Sequence, residues 1–114
     1  MKILFLGDVV GISGCSKLMK SLLSEIKLKK IDFVIVNGEN AASQGVGLTK
    51  EICQDFFNCG VNVITTGNHV WDQKDIMNFI DKENRLLRPK NLFEPAPGKG
   101  FEIYKTTNNL KVGV

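Results

Sequence analysis

The sequence predicts an α/β fold, a βαβαβ arrangement in which a parallel sheet is flanked by helices. Two observations predict it. Three short β-rich apolar runs, Lys2–Leu6, Asp32–Val36 and Val61–Thr65, start 30 and 29 residues apart, the length of one strand–helix–strand unit. Their apolarity is continuous rather than alternating, the mark of strands covered on both faces, as in a parallel sheet.

The elements between the runs follow from spacing. Leu18, Met19, Leu22, Leu23 and Ile26 form the apolar stripe of a first helix, with Lys17, Lys20, Lys27, Lys29 and Lys30 largely off it. Those lysines read as a solvated face whose C-terminal charges suit the helix dipole. Ile52, Cys53, Phe56 and Phe57 mark a second helix, with Thr49 placed to cap it and Gly60 to end it. Ile76, Met77, Phe79 and Ile80 mark a third, with Asp72 as its natural N-cap and Asp75 in its first turn. Arg85 to Gly100 holds all three prolines and reads as an irregular surface connection. Phe101–Tyr104 and Leu110–Val114 then alternate like strands joined by a polar turn around Asn108-Asn109.

Length and composition set the class. The 114 residues fit one domain, 1–114, and 43% hydrophobic with 24% charged residues is close to the globular average of roughly 45–50% and about 25%. A net charge of +3 is too mild to argue for nucleic acid as a partner. Three cysteines, an odd number with no CxxC spacing, fit neither a disulfide framework nor a zinc ribbon. The apolar start is cut at Gly7-Asp8, which a signal peptide would not tolerate, and no run approaches the ~18 apolar residues of a membrane span. A cytoplasmic protein without a membrane partner is the expectation.

The residues just after each strand carry the chemistry. The first strand runs into Gly7-Asp8, the second into Gly38-Glu39-Asn40 and the third into Gly67-Asn68-His69. In a parallel sheet these exits share the carboxyl edge, where open α/β folds place their ligands. Two carboxylates side by side are costly unless a proton or cation intervenes, and carboxylates, amides and imidazole are all metal ligands. Fe, Mn and Zn all suit such a set. Taken singly, Asp8 reads as a cap or turn residue, Glu39-Asn40 as a turn and His69 as a structural histidine; their joint placement is what points to a metal site. Gly7, Gly11 and Gly14 match neither the dinucleotide fingerprint nor a P-loop.

The motifs GDVVG (7–11), NGENAA (37–42), TTGNHVWD (65–72) and LLRP (86–89) together resemble the YmdB-like branch of the calcineurin-like metallophosphoesterases. The resemblance implies a four-layer α/β/β/α sandwich with a dinuclear metal centre, iron in the best-known members. It also implies phosphodiesterase activity on small-molecule substrates, notably 2′,3′-cyclic nucleotides. Carried onto matching positions, Asp8 binds the first metal, Glu39 bridges both, Asn40 and Asn68 bind the second, and His69 is the proton donor. Val10 stands where the commonest metallophosphoesterase pattern has a histidine, a departure typical of this branch.

The family completes its site with three histidines from the second half of the fold. The 114 residues thus match an N-terminal portion, a domain truncated before its C-terminal half. On its own such a portion is expected to be inactive, to bind metal poorly and to expose apolar surface that invites self-association into a homo-oligomer. The rival expectation is a non-catalytic module that serves as a binding or assembly partner.

Overall fold

Four parallel strands in the order β1-β2-β3-β4 form the frame of the molecule, and the computed structural model describes it over residues 1–114. Strand β1 (Ile3–Leu6) leads into helix α1 (Gly11–Lys29), β2 (Phe33–Asn37) into α2 (Lys50–Asn58), and β3 (Val63–Thr65) towards β4 (Leu86–Leu87). An antiparallel hairpin, β5 (Ile103–Lys105) and β6 (Lys111–Gly113), comes last, its turn passing through Asn109 at φ 59.

The register explains the continuous apolarity of the central strands. Ile35 pairs with Val63 and Val36 with Ile64, while Ile64 pairs with Leu86 and Thr65 with Leu87. Val34, Val36, Ile64 and Leu86 therefore enter the 19-residue core beneath the helices, together with Leu18, Leu22, Cys53 and Phe56. Phe33, Ile35, Val63 and Leu87 point the other way, into a five-residue core closed by Val112 of the hairpin. Tyr104 stacks at a tilt on Phe33, ring centroids 5.9 Å apart. Each fully buried aliphatic side chain stabilises the fold by about 1.5–3 kcal/mol, so β2 and β3 are anchored from both sides.

Strand β1 departs from that pattern. It is an edge strand, and its Ile3 and Phe5 remain 44% and 60% exposed on the hairpin side, because the hairpin does not reach them. The helix stripe is also narrower than its spacing suggests: Leu18 and Leu22 are buried, whereas Met19 and Leu23 face outward. Helix α2 follows its sequence signals, the Ile52 N–H donating to Thr49 Oγ1 at 3.3 Å and the chain turning at Gly60.

Two expectations are corrected. The third helix is instead a pair of short 3₁₀ pieces, Lys74–Asn78 and Ile80–Lys82, with Gln73 at the N-cap position and no capping side chain. Asp72 does not cap because its carboxylate is engaged by His69. Ile76, Phe79 and Ile80 are buried all the same, since a tighter helix with three residues per turn presents the same i, i+3 pair to the core. The stretch Arg85 to Gly100 is not wholly irregular either, for it opens with β4 and returns to it through a parallel bridge between Leu87 and Lys99. No helix is long and apolar enough to cross a membrane.

Candidate metal centre at the carboxyl edge

Backbone hydrogen bonds stitch the strand exits together. The Val9 N–H donates to the Asn37 carbonyl at 3.2 Å, the Gly11 N–H to Asn40 at 2.9 Å, and the Gly38 N–H to Thr65 at 3.0 Å. Residues some thirty apart in sequence are thereby held at one end of the sheet. The Gly7–Asp8 peptide that begins this edge is cis.

Three of the sequence-predicted residues are in place around this seam. Asn40 Nδ2 donates to Asp8 Oδ2 at 2.6 Å, a charge-assisted contact. The Glu39 carboxylate lies against the next strand exit: a Cβ built on Gly67 would sit 1.8 Å from Glu39 Oε2 and 2.8 Å from Oε1. Only glycine leaves that space free. Asn68 and His69 come directly after Gly67, and the His69 ring turns to Asp72, with Nδ1 2.7 Å from Asp72 Oδ2.

Glu39 Oε2 and Asn40 Oδ1 are buried side-chain oxygens with no hydrogen-bond partner. Each such orphan costs about 1–3 kcal/mol, a penalty natural proteins seldom carry without a ligand to relieve it. Both are hard oxygen donors, and the Asp8 carboxylate accepts from the same Asn40 amide. The residues present fit a divalent cation on these grounds. Nowhere do three or more His, Cys, Asp or Glu side chains gather, so amide oxygens form part of the donor set that this chain offers.

The cysteines stand apart from this edge. All three are buried and free, and burial pushes each thiol up, that of Cys53 to about 12. They are neutral core residues. The sequence reading missed the Asp72–His69 contact, although a His and an Asp three residues apart in a turn were its visible signal. It also missed Asn37, whose Oδ1 accepts from the Glu39 N–H at 3.4 Å and helps shape the turn that aims Glu39.

A four-stranded parallel sheet flanked by helices, with Asp8, Glu39 and Asn40 at its carboxyl edge, defines an α/β protein. The YmdB-like protein family matches residues 4–114, and this chain belongs to it. A Bacillus subtilis protein named 2′,3′-cyclic-nucleotide 2′-phosphodiesterase is 47% identical over 106 residues, covering 92% of this chain and 39% of that protein. Among solved structures, a hypothetical protein from Thermus thermophilus superposes with a TM-score of 0.90 at 33% identity, covering 99% of this chain and 43% of that one. A Mycoplasma pneumoniae protein described as a novel phosphatase gives 0.83 at 34% identity, over 92% of this chain and 38% of that one. The chain spans about two fifths of the length of these relatives.

Proposed function

We propose that the chain carries part of a metal-dependent phosphodiesterase that opens 2′,3′-cyclic nucleotides. The observation that carries the reading is the orphaned pair Glu39 Oε2 and Asn40 Oδ1, with Asp8 bonded to the Asn40 amide, on an edge that Gly67 keeps open. The name of the Bacillus subtilis relative supports the substrate class.

Asp8, Glu39, Asn40 and Asn68 would hold two Fe, Mn or Zn ions, with Glu39 shared between them. When bound, such a pair supplies positive charge to the phosphate oxygens and a nucleophilic water at neutral pH. The chain's own part is then to orient and to move a proton. The Asn40 amide, donating to Asp8 Oδ2, fixes the carboxylate that would hold the first ion. His69 is the proton donor to the ribose 2′ oxygen as its bond to phosphorus breaks, so the product is a 3′-phosphate.

The test is a chimera in which residues 1–114 replace the matching segment of the Bacillus subtilis relative. It should hydrolyse 2′,3′-cyclic AMP to the 3′-phosphate. His69→Ala should lower turnover by about 10²–10⁴-fold, the range of general acid catalysis, with metal content near normal. A folded, metal-loaded chimera without phosphodiesterase activity would overturn the reading, and equal loss of metal and activity would make His69 a ligand.

A non-catalytic assembly module is the second reading. One observation favours it: an apolar groove of about 400 Å³ runs along the free edge of β1 past Leu4, Leu6, Leu18 and Leu22. An active chimera excludes it.

A further inference from the structure

A carboxylate can accept a hydrogen bond but, ionised, cannot donate one. The 2.7 Å contact between His69 Nδ1 and Asp72 Oδ2 therefore places a proton on Nδ1. From this we infer that Asp72 is a positioning residue: it holds His69 as the Nδ1–H form and assigns proton transfer to Nε2. The inference rests on the proposed phosphodiesterase reading and names the nitrogen that performs its proton step.

Three features support it. First, Asp72 has no other side-chain task, because the 3₁₀ piece after it begins with Gln73 at its N-cap and no capping side chain. Second, the turn that carries both residues is fixed at each end. The Val70 N–H donates to Gly67 and the Asp72 N–H to His69, Val70 is 1% exposed, and Gln73 Nε2 donates to the Val46 carbonyl at 2.9 Å. A Cβ on Gly47, whose φ is +80, would lie 2.7 Å from the Gln73 side chain, so the two loops are in close contact. Third, the His69 side chain is 35% exposed, which leaves the rest of the ring open to a ligand.

The proton balance is simple. The electron pair of the breaking P–O bond stays on the ribose oxygen, which takes the proton from Nε2. The ring that remains is the neutral Nδ1–H imidazole, still bonded to Asp72. Were Nδ1 the donating atom, the Asp72 contact would have to break in every turnover.

His69 is the only histidine, so one pair of ring nitrogens gives an unambiguous spectrum. The experiment is long-range ¹H–¹⁵N correlation on the ¹⁵N-labelled chain, at a pH where the ring is neutral. Nδ1 should carry the proton in a larger share of the rings than it does in a free histidine side chain, where the Nε2–H form predominates. In Asp72→Ala the ratio of the Nδ1–H to the Nε2–H form should fall by about two- to fivefold, as far as a part-exposed pair can bias it. A wild-type ratio of Nδ1–H to Nε2–H no higher than that of a free histidine side chain overturns the inference, as does an unchanged ratio in folded Asp72→Ala. If that variant fails to fold, the wild-type spectrum decides alone. The readout needs neither metal nor turnover. An inactive chimera with the expected tautomer therefore sinks the proposed function and leaves the Asp72 assignment standing; the reverse pattern does the opposite.

Discussion

Two polar clusters with buried atoms sit at the carboxyl ends of the same parallel sheet, and they are built in opposite ways. Beyond β4, the Arg88 side chain is 3% exposed, yet each of its guanidinium nitrogens has an acceptor. Nε donates to the Pro97 carbonyl at 3.1 Å, Nη1 to Pro89 at 3.1 Å, and Nη2 to Ala96 at 3.3 Å and to Glu94 Oε1 at 2.9 Å. Beyond β2, Glu39 and Asn40 keep buried oxygens with no partner at all. Burial of charge is common to both. Satisfaction separates them: Arg88 is a clamp that finishes the fold, and the Glu39 edge keeps two oxygens without a protein partner.

The sharpest contrast comes from a third kind of buried group, one that is neutral. Cys53 lies in the helix-side core, and burial raises its thiol to about 12 from an ordinary 9.0. A raised acid contributes stability that is complete below the unfolded value and is lost as pH climbs towards the folded one. The difference in unfolding free energy between wild type and Cys53→Ala should therefore be constant up to about pH 9. It should then shrink by ~1.4 kcal/mol per pH unit, ~4 kcal/mol in all, in urea titrations between pH 9 and 12. A difference that stays flat through pH 11 would place Cys53 in contact with water.

Next in size is the clamp. Arg88→Ala removes the partner of three loop carbonyls and should cost about 3 kcal/mol in urea unfolding, whereas Glu94→Ala should cost less than about 1. The asymmetry follows from exposure, since the Glu94 side chain is 67% exposed. Equal costs would mean that the ion pair, rather than the carbonyls, holds the loop.

The clamp also shows where sequence reading stops. The alternation of apolar runs and helical stripes made the three-strand frame legible, and the glycine-plus-polar pattern at Asp8, Glu39 and Asn68 made the edge legible. Strand β4 was not, because two residues, Leu86 and Leu87, carry no period. Arg88 was not, because three of its four acceptors are backbone carbonyls, which every residue has. Asp72 was read as a cap because an Asp before an apolar i, i+3, i+4 pattern is the ordinary cap signal; a histidine three residues earlier competed for the same carboxylate and won. Local pattern identifies elements well, and it is silent on which of two nearby partners a side chain takes.

The proposed metal centre at the Glu39 edge is tested most directly by metal content. In the chimera carrying residues 1–114, purified without chelator, bound metal should fall to background in Glu39→Gln while the protein remains folded. Removing an orphaned charge should leave that variant as stable as the metal-free parent, or up to ~1 kcal/mol more so. Full metal occupancy in folded Glu39→Gln would contradict the account.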